Sequence, residues 1–163
     1  MNKKVMTTGW MIIALGAMNV LAGGNVIPAA DLPAPVATAA SRICPDGTIK
    51  CVELEGTKEK PVYEIEMMVG DKSCDMKFAP DGRTLEIEKE MDINQLPAPV
   101  QASLAIFSNG KINKVEQVEK GKTMLYEAEI EINQVTIELE LSADGKVIDL
   151  EIEEDEEDDD DKK

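Results

Sequence analysis

The residues best placed to do chemistry in this chain are carboxylates at alternating positions: Glu127 and Glu129, Glu138 and Glu140, Asp149 and Glu151. Alternation at period two sets each pair on one face of an extended strand. Six acids on one surface can attract a basic protein or supply the several oxygen ligands that calcium prefers, with Glu129, Glu138 and Glu151 as the candidate metal set. Catalysis is a poorer fit. The 163 residues include no histidine, which removes the commonest general base and the usual serine or cysteine pairings. Carboxylate pairs can cleave glycosides only in a cleft that keeps one acid protonated, and an open strand face supplies none. The expectation is a non-enzymatic protein.

The elements that carry these carboxylates repeat. Leu32-Pro33-Ala34-Pro35-Val36 recurs as Leu96-Pro97-Ala98-Pro99-Val100, and Gly47, Tyr63-Glu64 and Asp81-Gly82 have counterparts in Gly110, Tyr126-Glu127 and Asp144-Gly145. The prolines suit a helix's first turn, whose N–H groups lack intrahelical partners. Val36, Ala39, Ala40 and Ile43, and again Val100, Leu104 and Phe107, give each helix an apolar face. Four strand-like runs follow each helix, separated by turn residues. Two-residue turns at Gly70-Asp71, Asp81-Gly82, Asn133-Gln134 and Asp144-Gly145 set a register in which Tyr63 faces Phe78 and then Leu85, and Tyr126 faces Leu141 and then Ile148. The expected fold is α+β: two tandem modules, each one helix packed on a four-stranded antiparallel meander sheet.

The same register states what lies outward. One half presents the rows Glu64, Lys77, Glu86 and Glu66, Asp75, Glu88; the other presents Glu127, Glu140, Asp149 and Glu129, Glu138, Glu151, with no cation. Like charges opposite one another across strands are destabilising. Three readings stay open: a solvated face relieved by Lys114, Lys120 and Lys122, a basic protein or peptide partner, or a low-affinity divalent cation.

The Leu-Pro-x-x-Val helix opening, the Tyr-Glu-x-Glu strand and the Asp-Gly-Arg/Lys hairpin resemble the PepSY-like domains also called beta-lactamase-inhibitor-like. The resemblance covers about 31 to 152 in two copies. It implies an exported helix-plus-sheet module, often in tandem, with inhibition or protein binding as the suggested role and no defined catalytic residues.

Composition bounds the setting. Residues 1–22 carry Lys3 and Lys4, a short apolar stretch and Val20-Leu21-Ala22, the plan of a cleaved signal peptide. The organisation expected is signal 1–22, linker 23–30, modules 31–90 and 91–152, and a solvated acidic tail 153–163. Losing Lys3 and Lys4 takes the net charge from 17 − 33 = −16 to 15 − 33 = −18, which disfavours nucleic acid and anionic membrane as partners. The product is expected to be secreted or periplasmic, without a stable membrane span and without a cofactor unless calcium binds. In an oxidising compartment one pair of Cys44, Cys51 and Cys74 can bridge. Cys44 to Cys51 is the expected pair, folded together by the Pro45-Asp46-Gly47 turn, with Cys44 to Cys74 or no bridge as alternatives.

Overall fold

The computed structural model describes residues 25–154. The expected signal peptide and all but the first two residues of the expected acidic tail lie outside these described residues. In chain order the elements are β1 (Asn25–Val26), α1 (Ala34–Ile43), β2 (Thr48–Thr57), β3 (Lys60–Val69), β4 (Lys72–Phe78), β5 (Thr84–Glu90), α2 (Ala98–Leu104), β6 (Lys111–Lys120), β7 (Thr123–Ile132), β8 (Val135–Ser142) and β9 (Val147–Glu154).

The expected α+β pair of tandem modules, each one helix packed on a four-stranded meander, does not form. Among the described residues, nine strands join one antiparallel sheet in the order of the chain, accompanied by two short α-helices and three single 3-10 turns. The fold is mostly β. The reason is the pairing of β5 with β6, where Glu86 lies opposite Lys120, Glu88 opposite Val118 and Glu90 opposite Glu116. Separate modules would leave both of these strands as open edges, and pairing satisfies their backbone groups. The stretch expected as a linker also contributes, since Asn25 and Val26 pair with Leu54 and Glu53.

Each helix opens as its prolines dictate: Pro33 and Pro97 precede the first turn in extended conformation, and Pro35 and Pro99 sit within it. Val36, Ala39 and Ala40 of α1 are buried against Val52, Ile65, Met67, Met76 and Phe78. Val100 and Leu104 of α2 close over Val115, Ala128, Ile130, Leu139 and Leu141. Each large side chain so buried contributes about 1.5–3 kcal/mol. By the alternation of the strands, both clusters lie on the face opposite the carboxylates.

The turns at Gly70-Asp71 and Asn133-Gln134 are two-residue hairpins: Val69 pairs with Lys72 and Ile132 with Val135. Asn133 and Gln134 both take positive φ, 52° and 69°, as the tight turn requires. The Asp-Gly turns are longer. Phe78 pairs with Thr84, not Leu85, and Leu141 with Val147, not Ile148, each through a bulge. The extra residues bring Gly82 and Gly145 onto the helix starts, where an added Cβ would meet the carbonyl oxygens of Pro35 and Pro99. Gly82→Ala is therefore expected to cost about 2–3 kcal/mol, from a left-handed φ plus a backbone clash. Gly70→Ala, with positive φ but open space around it, should cost only about 1 kcal/mol. Denaturant midpoints of the two variants check this; equal losses would mean that the contact with Pro35 contributes nothing.

The cysteine expectation is also corrected. Cys44 is bonded to Cys74, and Cys51 is the free thiol. Cys51 pairs with Glu66 and shares the carboxylate face with Glu53, whereas Cys44 and Cys74 lie in the core under α1. The pleat therefore directs Cys51 away from the helix whose end carries Cys44. No helix among the described residues is long and apolar enough to cross a membrane.

Candidate functional site: an acidic sheet face

The carboxylate face runs from β2 to β9, interrupted by the apolar pair Val118 and Leu125 beside Glu88. In its second half Glu127 lies opposite Glu140, which lies opposite Asp149; Glu129 lies opposite Glu138, which lies opposite Glu151. In the first half Glu64, Lys77 and Glu86 form one row, and Glu66, Asp75 and Glu88 the next. All six residues expected on the binding face thus share a surface. The β5–β6 pairing continues it into the first half, adding Lys114, Glu116 and Lys120 between the two sets.

Three lysines punctuate the acids. Lys77 Nζ lies 3.5 Å from Glu64 and 3.8 Å from Glu55. Lys120 Nζ stands among Glu140, Glu127 and Glu86 at 3.6, 3.8 and 3.9 Å, so it spans carboxylates of three strands. Lys114 Nζ is 2.9 Å from Glu116, whose carboxylate also accepts a hydrogen bond from Ser73 Oγ at 3.5 Å. Burial works against the ammonium groups of Lys77 and Lys114, but the surrounding acids outweigh it and hold both pKa values above the usual range. These cations remain charged.

The acids remain in excess at the centre. Buried oxygens of Asp75, Glu86 and Glu88 have no hydrogen-bond partner among the described residues. Burial, ahead of the repulsion of neighbouring acids, pushes Asp75 up to about 6 and Glu127 up to about 7. Glu64 is likewise pushed up to about 7, first by burial and then by Glu55, against the pull of Lys77. Glu88 is driven well above the carboxylate range by burial, by a hydrogen bond with Glu86 and by the charges of Glu127 and Glu116. Its cross-strand neighbour Val118 is fully buried. An apolar wall on one side and acids on the others keep Glu88 protonated, able to donate to Glu86.

Two groups of three acids bring ligand oxygens within 4.8 Å of one another among the described residues: Glu53, Glu55 and Glu64, and Asp75, Glu88 and Glu116. The expected metal set Glu129, Glu138 and Glu151 is not such a group. These residues form a cross-strand row, and Glu129 instead accepts a hydrogen bond from Asn113 Nδ2 at 3.0 Å. The central group was missed because its members come from β4, β5 and β6, and β6 belongs to the other half of the repeat. No turn residue links β5 to β6 directly; the intervening chain makes a helix.

Residues 61–149 match the family described as beta-lactamase-inhibitor-like, PepSY-like. The chain is a PepSY-like protein. That single match crosses the boundary expected between two modules at residues 90 and 91, in keeping with the continuous sheet. Comparison with curated proteins gives no match. Among solved structures, the PepSY-like chain is similar in fold to a Bacteroides eggerthii protein provisionally described as periplasmic, at 17% identity and TM-score 0.60 over 74% of this chain and 88% of that one. It is similar also to a DUF2874 family protein of Bacteroides uniformis, at 17% identity and TM-score 0.58 with the same coverage. A BLIP-like protein of Bacteroides fragilis aligns at 17% identity and TM-score 0.56, over 76% of this chain and 88% of that one.

Proposed function

We propose that this PepSY-like protein is an exported, non-enzymatic binding protein, inhibitory or regulatory in role, whose acidic sheet face engages a basic protein partner. The observation that carries the proposal is the excess of half-buried carboxylates at the centre of the sheet, where Asp75 and Glu88 each keep a buried oxygen without a hydrogen-bond partner. Holding like charges together costs stability, and a cationic partner turns that cost into attraction. The likeness in fold to a BLIP-like protein supports a protein partner. Export is supported by the signal-like N-terminus and by the periplasmic description of one structural neighbour.

A divalent cation is the second reading, favoured by one observation: the convergence of Asp75, Glu88 and Glu116 within 4.8 Å. Oxygen-only ligands suit calcium, and the raised pKa of Glu88 implies weak binding at neutral pH, since its proton must leave first.

One experiment separates the readings. Capture from cell-envelope extracts is expected to retain a basic protein at low salt and release it at high salt, and Glu127→Gln with Glu140→Gln should weaken that capture by about tenfold or more. Capture that ignores both salt and substitution would end the proposal. A rise in melting temperature with calcium at constant ionic strength, lost in Glu116→Gln, would favour the cation instead.

A further inference from the structure

Strand β9 ends the sheet, and no other strand pairs with its outer side among the described residues. An edge strand presents a row of backbone N–H and C=O groups ready to pair with an added strand. The opposite edge, β1, has only two residues, whereas β9 has eight. The two faces of β9 differ in chemistry. Leu150 and Ile152 pair with Leu139 and Ile137 on the face that carries the helices. The core under α2 closes over Leu139, 1% exposed, and stops one strand short: Leu150 and Ile152 remain 46% and 58% exposed. On the other face Asp149 and Glu151 extend the carboxylate rows of Glu140 and Glu138.

We propose that the β9 edge takes up an extended, cationic strand of another protein as a tenth strand of the sheet. Alternate apolar residues of that strand cover Leu150 and Ile152, and the lysines or arginines between them face Asp149 and Glu151. Period-two alternation on both partners makes the two demands compatible. A second copy of this chain is the wrong occupant. Antiparallel self-pairing of β9 would set its own acids against one another, and like charges opposite across strands repel. The inference rests on the reading that the partner is basic, and adds where on the sheet it docks and in what conformation.

The probe is a short synthetic peptide of alternating lysine and valine, compared with a peptide of the same composition whose lysines are grouped at one end. The alternating peptide is expected to bind the protein and to slow amide hydrogen exchange along β9, while the grouped peptide binds at least about tenfold more weakly. N-methylation of the alternating peptide on alternate residues should abolish binding in one parity and spare it in the other. Leu150→Thr and Ile152→Thr, at exposed positions that the fold does not require, should each weaken binding severalfold. Equal binding of both peptides without protection of β9 would overturn this inference and leave the acidic-face reading intact; binding of neither would overturn both. Concentration-dependent dimerisation with protection of β9 would assign the edge to a second copy and overturn the cationic strand.

Discussion

Lowering the pH from about 8 to about 5 is expected to stabilise the folded protein, against the usual trend of acid destabilisation. The sign follows from the carboxylates at the centre of the sheet. Asp75, Glu64 and Glu127 titrate near 6, 7 and 7 in the fold, above model values of 3.8 for Asp and 4.5 for Glu, and Glu88 titrates higher still. Between those limits the native state holds more protons than the unfolded chain, so stability falls as pH rises through the folded values and is fully present below the unfolded ones. The groups facing these acids explain the shifts. Lys114, Glu116, Glu66 and Glu90 surround Asp75; Lys120, Glu116, Glu140 and Glu86 surround Glu127. Lysines reduce the effect without reversing it.

One pKa unit corresponds to about 1.4 kcal/mol. After a discount for solvent reaching the partly exposed side chains, the combined gain on acidification is about 2–4 kcal/mol. Denaturant midpoints measured across this range at constant ionic strength check it. Glu88→Gln should raise the midpoint at the alkaline end and flatten the profile, because the neutral amide needs no proton taken up on folding, whereas Glu88 must be protonated to occupy the site. A midpoint that falls steadily on acidification would show that these acids are ionised and compensated in the fold. The unpartnered oxygens would then have no energetic meaning, and the acidic face would lose its motive for a basic partner.

Reduction of the Cys44–Cys74 bond is the second large effect. The bond closes a loop with a sequence separation of 30, which the chain-entropy account equates with about 3–4 kcal/mol of stability. It also ties the end of α1 to β4 in the core, where both cysteines are buried. A reductant should therefore lower the denaturant midpoint of the wild type and leave a Cys44→Ala/Cys74→Ala variant unmoved. Cys51→Ser should change little, because its thiol lies outside the core on the carboxylate face. Burial, and the charges of Glu53 and Glu66 beside it, push the Cys51 pKa up and keep it from the reactive thiolate form. Peptide mapping that finds Cys51 in a bridge would refute this arrangement.

Local chemistry alone determined a good part of this protein. Pro33 and Pro97 start the helices; Gly70-Asp71 and Asn133-Gln134 close tight hairpins; and period-two alternation sorts Ile65, Met76 and Ile87 from Glu66, Asp75 and Glu88. Each of these depends on residues a few positions apart, so the sequence states them directly. Alternation also turned Cys51 and Cys74 to opposite faces. The same parity turns Cys51 away from α1, a consequence that the nearness of Cys44 and Cys51 along the chain obscured. The Asp81-Gly82 and Asp144-Gly145 turns misled because their length is set by packing against Pro35 and Pro99, residues far away in sequence.

Only the tertiary structure decided that the two halves make one sheet. β5 and β6 are separated by α2, so no hairpin fixes their register, and the pairing of Glu88 with Val118 and of Glu86 with Lys120 emerges from packing. The candidate site depends on that choice: Asp75 and Glu88 come from one half, Glu116 and Glu127 from the other. The raised pKa values of Asp75, Glu88 and Glu127 come first from burial, which belongs to the folded surface and to no single residue. The sequence can therefore specify acids on a face, while long-range pairing and the loss of water around them decide which of those acids are held against their charge.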